Sequence, residues 1–379
     1  MPFAARTIIA LLLLACAAIS PAFAASPAAP PDPPRISADA AVLIDASTGQ
    51  ILYGKNETRR MHPASLTKIM TILVALEVAD PNDVVTISRL AGGWNAGSIV
   101  GLKPGEKMTL ENLMRAAALI SANDATIAIG EHTAGNYETF IGWMNLKARL
   151  LGARQTRFAN THGWTHPNHY ITAYDMALIT RWALRNPQFA RLVSTRQATI
   201  TWEGSERRDE ASNTNRLLHS DFPGIDGVKT GTTSAAGHCL VASATRNGRR
   251  LIAVVLHSGD RYRDVADLLE YGFAIPSVTV YTCGEEVERV RVREGKRPSV
   301  VVTAGSDMQV YLPPDRGDLQ RRLDLPDEVT APVAKGRSVG EMVFTDHGTY
   351  LGRVPLVTAQ AVARKPWYAR LADKFHGRS

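Results

Sequence analysis

The chain has 379 residues, enough for two or three domains at about 150 residues each. With 45% hydrophobic and 21% charged residues it has the composition of a globular protein, which excludes a disordered chain, a collagen and a coiled-coil rod. Forty-three Lys and Arg against 36 Asp and Glu leave +7, a bias suited to an anionic surface and too weak to indicate nucleic acid, and three cysteines are too few for a disulfide scaffold.

Residues 1–24 are expected to form a secretory signal peptide. Arg6 gives the positive start, 7–19 is an almost unbroken apolar run, and Ala22-Phe23-Ala24 is a small-x-small cleavage site. Ser20-Pro21 cuts the run short of the roughly 20 apolar residues a membrane span needs. Lipoprotein processing at Leu13-Leu14-Ala15-Cys16 is the alternative. Removal of Arg6 with the leader lowers the charge to +6 and leaves 25–35 as a Pro/Ala linker. Of the remaining cysteines, Cys239 and Cys283, an exported chain permits a disulfide without implying one.

A hairpin is expected around Ser47-Thr48-Gly49, followed by a buried helix starting near Ala64, behind Pro63, with Ile69, Ile72, Leu73 and Leu76 at helical spacing. Further helical patterns cover 110–120, 124–134, 137–151 and 173–185, the last opened by a Thr172-x-x-Asp175 capping signature. Short β-type runs follow at 228–230, 238–245 and 251–257, then a helix over 265–273. Strands, helices and strands again predict an α+β catalytic domain over 36–276, with helices packed on an antiparallel sheet. Six short β segments between 278 and 354, broken by Gly and Pro, predict a small all-β domain over 277–360. The remainder, 361–379, is expected to be an amphipathic, membrane-associating tail, with Trp367, Tyr368, Leu371 and Phe375 among Arg364, Lys365, Arg370 and Lys374.

Ser65 and Lys68 lie three residues apart and share a face on a helix, where a lysine held neutral by burial can take the serine proton. By itself this pair is common, and a capping serine beside a solvated lysine is the ordinary alternative. Ser121-Ala122-Asn123 falls between two helical patterns and reads alone as a helix cap. Lys229-Thr230-Gly231 ends a strand and reads alone as an edge lysine beside a glycine. Together, in the order S-x-x-K, S-x-N, K-T-G and with spacings of 56 and 108 residues, the three form the set used by penicillin-binding proteins and class A β-lactamases.

The chain resembles the low-molecular-mass penicillin-binding proteins that are serine-type D-alanyl-D-alanine carboxypeptidases. The resemblance extends to Pro63-Ala-Ser-Leu-Thr-Lys-Ile-Met-Thr71, Gly101-Leu-Lys-Pro-Gly105, Ser121-Ala-Asn-Asp-Ala125, Asp226-Gly-Val-Lys-Thr-Gly231 and Tyr271-Gly-Phe273, covering about 36–275, with the β domain similar to the family's C-terminal half. Ala122 replaces the usual glycine of the middle motif. The resemblance implies a penicillin-binding, transpeptidase-like fold and a periplasmic enzyme that removes the terminal D-alanine from peptidoglycan pentapeptides through an acyl-enzyme. It implies no cofactor or metal, peptidoglycan stem peptides as substrates, β-lactams as acylating inhibitors, and peripheral inner-membrane association through the tail.

Carried over by residue, Ser65 is the nucleophile and Lys68 its proton acceptor, with Ser121 and Asn123 completing the relay. Lys229, Thr230, Gly231 and Thr232 form the substrate-binding strand, and the N–H groups of Ser65 and Thr232 the oxyanion hole. Arg250 is a further candidate for the substrate carboxylate, with a solvated strand-end arginine as the alternative. His162 matches a family His-Gly segment, although a lone histidine is more often structural. Residues 152–190 contain no Glu, which disfavours the deacylation machinery of a class A β-lactamase. A D,D-endopeptidase of the same superfamily is the closer rival, and a non-catalytic wall-binding protein the reading of another class.

Overall fold

A computed structural model describes residues 31–311 and 319–368. The signal peptide, the first part of the linker and the tail beyond Tyr368 lie outside the described residues.

The chain opens with β1 (Ala40–Asp45) and β2 (Ile51–Lys55), and a 3-10 turn over Ala64–Thr67 leads into α1 (Lys68–Val78). Then come β3 (Val84–Thr86), α2 (Arg89–Gly93), β4 (Lys107–Thr109), α3 (Leu110–Leu119), α4 (Asn123–Ala134), α5 (Tyr137–Leu150), α6 (Ala173–Ala183) and α7 (Pro187–Ser194). The hairpin β5 (Gln197–Thr201) and β6 (Arg208–Ser212) precedes three long strands, β7 (Ile225–Thr233), β8 (Gly237–Arg246) and β9 (Arg249–Ser258), and helix α8 (Arg261–Ala274).

Local chemistry explains most helix starts. The side chains of Thr109, Asn136 and Thr172 each accept the backbone N–H three residues on, and Asn186 caps α7 with Pro187 in its first turn. Helix α1 differs from expectation at its start. Pro63 and Ala64 lead into a 3-10 turn, and the α-helix begins at Lys68.

The central sheet has five strands in the order β2-β1-β9-β8-β7, antiparallel throughout. Helices cover both of its faces, so its inner strands are apolar on both. Val42, Ile44, Ile252 and Val254 pack with α1 and the other middle helices, whereas Leu43, Leu251, Ala253 and Val255 pack with Val265, Leu268 and Leu269 of α8. Helix α1 is buried from Lys68 to Ala75, which makes it the axis of the helical layer.

The C-terminal part is all β: β10 (Ser277–Tyr281), β11 (Glu286–Arg293), β12 (Ser299–Ala304), β13 (Met308–Tyr311), β14 (Leu319–Asp324), β15 (Glu328–Thr330), β16 (Ser338–Asp346) and β17 (Thr349–Thr358). Six of these form a sheet in the order β14-β16-β17-β12-β11-β15, and β10 pairs with β13. Its core is a set of alternate inward residues, among them Val290, Val292, Val300, Val302, Phe344 and Leu356. Cys239 is buried in the central sheet and Cys283 is exposed in the β domain, and both thiols are free. After β17, Arg364 is tied to this domain, its guanidinium 2.5 Å from the Glu294 carboxylate. Trp367 and Tyr368 beyond it are 69% and 64% exposed.

Candidate active site

Three elements converge on Ser65. The 3-10 turn presents it at the N-terminal end of α1, the α3–α4 junction supplies Ser121 and Asn123, and strand β7 brings Lys229 to Thr232 alongside. Two glycines allow the close approach. A Cβ on Gly163, whose φ is +93°, would lie 1.8 Å from the Ala64 carbonyl oxygen, and one on Gly231 would lie 2.9 Å from that of Pro63.

Lys68 is fully buried and its Nζ lies within hydrogen-bond reach of three oxygens: Ser65 Oγ at 3.0 Å, Asn123 Oδ1 at 2.7 Å and the His162 carbonyl at 2.8 Å. Burial, aided by the charge of Lys229 and opposed by Asp124, holds its pKa well below the usual lysine range. Lys229 is 2% exposed although β7 is an edge strand, so it is no solvated edge lysine. Its Nζ donates to the Thr230 carbonyl at 3.1 Å, and burial with the neighbouring Arg261 lowers its pKa to about 7.

Asn123 is fixed from both ends of its amide, with Nδ2 donating to the Ala96 carbonyl at 2.9 Å. Its neighbour Asp124 is fully buried and accepts the N–H groups of Val100, Gly101 and Leu102, which pins the Gly101–Gly105 loop beside the site. Ser121 adopts a left-handed backbone with φ +64°, an unfavourable conformation for a non-glycine residue, and its buried Oγ has no hydrogen-bond partner among the described residues. His162 enters the site through its backbone carbonyl. Its ring accepts from the Trp164 N–H and stacks on Trp94 at 4.6 Å, and burial lowers its pKa to about 3, so the ring is neutral near pH 7.

Ser65, Asn123, His162, Trp164 and Thr232 border a cleft of about 120 Å³. Arg261, which no local motif marks, closes the β7 side: Nη1 donates to the Gly231 carbonyl at 3.0 Å and to Thr232 Oγ1 at 2.9 Å. Thr214 Oγ1 lies 2.8 Å from Thr230 Oγ1. Arg250 is not part of this assembly, contrary to the sequence expectation. It pairs with Thr245 in the β8–β9 ladder, at the far end of the sheet, and its guanidinium bonds Asp226 at 3.1 Å.

A buried lysine amine whose pKa is held low, set against a serine hydroxyl beside a cationic strand edge, is the equipment of acyl transfer to serine. Comparison with known proteins gives the class. The family model described as D-alanyl-D-alanine carboxypeptidase matches residues 26–259, and that for the C-terminal domain of penicillin-binding protein 5 matches residues 277–364. The chain belongs to the D-alanyl-D-alanine carboxypeptidase family. It is a serine-type carboxypeptidase, with the two-part architecture of the low-molecular-mass penicillin-binding proteins.

Among its relatives, D-alanyl-D-alanine carboxypeptidase DacF of Bacillus subtilis is 33% identical over 333 residues, covering 85% of each chain. DacD of Salmonella typhimurium is 34% identical over 377 residues, covering 94% of this chain and 95% of its own. Penicillin-binding protein 5 from Haemophilus influenzae superposes with a TM-score of 0.68 at 33% identity, covering 88% of this chain and 99% of that one. The Streptomyces K15 DD-transpeptidase superposes with a TM-score of 0.61 at 33% identity, covering 64% of this carboxypeptidase and 99% of its own chain.

Proposed function

We propose that Ser65 carries out D,D-carboxypeptidase chemistry on peptidoglycan stem pentapeptides, with Lys68 as its base. The carrying observation is the 3.0 Å contact of Ser65 Oγ with a lysine whose pKa burial holds well below the usual lysine range. Ser65 Oγ attacks the carbonyl of the penultimate D-alanine while its proton passes to Lys68 Nζ. The developing oxyanion is received by the N–H groups of Ser65 and Thr232. Collapse of the tetrahedral intermediate breaks the peptide bond, and the proton held by Lys68 returns through the Ser121–Asn123 side to the departing D-alanine nitrogen. Water then repeats the sequence on the ester and releases the shortened peptide.

The terminal carboxylate is read by Thr230 and Thr232 with the positive charges of Lys229 and Arg261, the latter taking the place expected for Arg250. A β-lactam enters as a cyclic acyl donor. Its leaving nitrogen stays tethered after ring opening, which obstructs the approach of water. Mass spectrometry of a pentapeptide digest tests the assignment: loss of one alanine supports it, and cleavage of a cross-linked dimer instead points to an endopeptidase.

For location, the leader and the tail support export to the periplasm with peripheral attachment to an anionic membrane. The exposed Trp367 and Tyr368 next to Lys365 suit an interface, while Arg364 is engaged by Glu294. Deleting residues 366–379 is expected to abolish low-salt binding to anionic vesicles without changing turnover of soluble peptide; vesicle binding by the truncated protein removes the tail from this role.

A further inference from the structure

Beneath the nucleophile turn, a series of hydrogen bonds runs outside the proton-transfer set. The Ala159 N–H donates to His169 Nδ1 at 3.3 Å. Because Nδ1 accepts, the ring proton resides on Nε2, which faces Thr67 Oγ1 at 2.9 Å and donates to it. Thr67 Oγ1 passes its own proton toward the Ala64 carbonyl, also at 2.9 Å. His169 is 1% exposed and Thr67 fully buried, so water does not compete for these bonds. Burial, with smaller contributions from His62, His166 and Lys68, lowers the His169 pKa to about 3 and keeps the ring in its neutral form near pH 7.

The end of this series matters because the Ala64 carbonyl and the Ser65 N–H belong to one peptide group. That group is held in a constrained position. Ala64 has a left-handed φ of +48°, Gly163 abuts its carbonyl, and a Cβ on Gly231 would come within 3.1 Å of Ser65 N. Donation to an amide oxygen draws electron density from its nitrogen and strengthens the N–H as a donor, an effect that chained hydrogen bonds reinforce. The benefit is felt when charge accumulates on the substrate oxygen, and little before.

We propose that His169 is a positioning residue for the oxyanion hole, acting through Thr67 to orient and polarise the Ala64–Ser65 peptide. The inference rests on the assignment of Ser65 as nucleophile. It separates two jobs within the S-x-x-K motif: Lys68 moves the proton and Thr67 prepares the donor that receives the negative charge.

The test uses purified full-length mature protein, labelled penicillin and a soluble pentapeptide. The acylation rate constant is measured apart from the dissociation constant of the non-covalent complex, and thermal unfolding is followed in parallel. His169→Asn keeps an acceptor for Ala159 but is too short to reach Thr67, whereas His169→Gln places an amide N–H near the original Nε2. The Asn variant is expected to acylate about tenfold to a hundredfold more slowly with little change in dissociation constant, and the Gln variant to recover most of the rate. Thr67→Val should reproduce the Asn loss, and the Thr67→Val/His169→Asn double variant should lose no more than either single. If the Asn variant does not fold, Thr67→Val and the Gln variant carry the test. Wild-type acylation rates in His169→Asn or Thr67→Val, equal losses in Asn and Gln, additive losses, or a loss residing in the dissociation constant would each overturn the relay. A wild-type protein that fails to label at Ser65 overturns the nucleophile assignment and the relay with it, so the two failures are distinguishable.

Discussion

The two ends of the central sheet treat positive charge in opposite ways. Around the end that meets the nucleophile turn, Lys68 and Lys229 are buried with no carboxylate in ion-pair contact among the described residues. Eight residues along β9 from Ser258, roughly 26 Å at strand rise, Arg249 contacts Asp45 and Arg250 contacts Asp226, each at 3.1 Å. Neutralised charge at the far end serves the fold. Buried lysines without an ion-pair partner work against it, and the contact of Lys68 with Ser65, with Lys229 on the neighbouring strand, is the reason to read them as chemistry.

The largest effects are expected where that imbalance touches the nucleophile. Ser65→Ala should eliminate covalent penicillin labelling and leave the unfolding temperature nearly unchanged, since a half-buried hydroxyl contributes little to stability. Lys68→Ala should slow acylation by about 10² to 10⁴, the range for loss of a general base. If this variant acylates normally and stalls only at hydrolysis of the ester, the base lies elsewhere and the contrast between the two ends loses its catalytic meaning.

Lys229 sharpens the comparison through pH. In the free enzyme its charge is present below about 7 and lost above it. The kcat/KM of a carboxylate-bearing substrate should therefore fall as pH rises through that value, a limb missing in Lys229→Met, which should be about a hundredfold weaker at pH 6. Arg261 is one cause of the lowered pKa, so Arg261→Ala should move the limb to higher pH. Stability has the opposite slope. Between about 7 and 10.5 the unfolded chain binds the proton that the folded chain refuses, so this lysine's penalty declines as pH rises, by about 1.4 kcal/mol per unit. Denaturant titrations should show Lys229→Met gaining most over wild type at or below pH 7, with the gain vanishing toward 10.5. A constant difference across that window would mean the lysine is charged in the folded state throughout.

How far these features were legible in the sequence follows from how local each signal is. The pattern at 110–120 and the Thr172 cap translate directly into α3 and α6, because periodicity and capping are properties of neighbouring residues. Helix α7 carries the same kind of signal in Asn186-Pro187, on a short stretch to which the sequence reading assigns no helix. The strands β6 and β14 carry no alternating apolar pattern, since Arg208–Ser212 and Leu319–Asp324 expose most of their residues to water, and the sequence reading assigns neither. In the site, Ser65 and Lys68 are set by helical spacing. Arg261, Trp94 and His169 arrive through tertiary packing and have no pattern of their own. Arg250 shows the converse: a strand-end arginine looks the same at either end of a hairpin, and only the register with Thr245 shows which end it occupies.

Arg250 therefore provides the smallest expected effect and the control for the whole contrast. Its pair with Asp226 is partly open, with side chains 33% and 23% exposed, and solvent screening limits such a pair to about 1 kcal/mol or less. Asp226 keeps its bonds from the hydroxyls of Ser243 and Thr245 when the guanidinium is removed, so no buried charge is stranded. Arg250→Ala should lower stability slightly in denaturant titrations. It should leave kcat/KM unchanged for a substrate with a free carboxylate and for its amide analogue alike. A selective loss on the carboxylate substrate would mean that the far end of the sheet communicates with the cleft, and the division of labour between paired arginines and unpaired lysines would have to be abandoned.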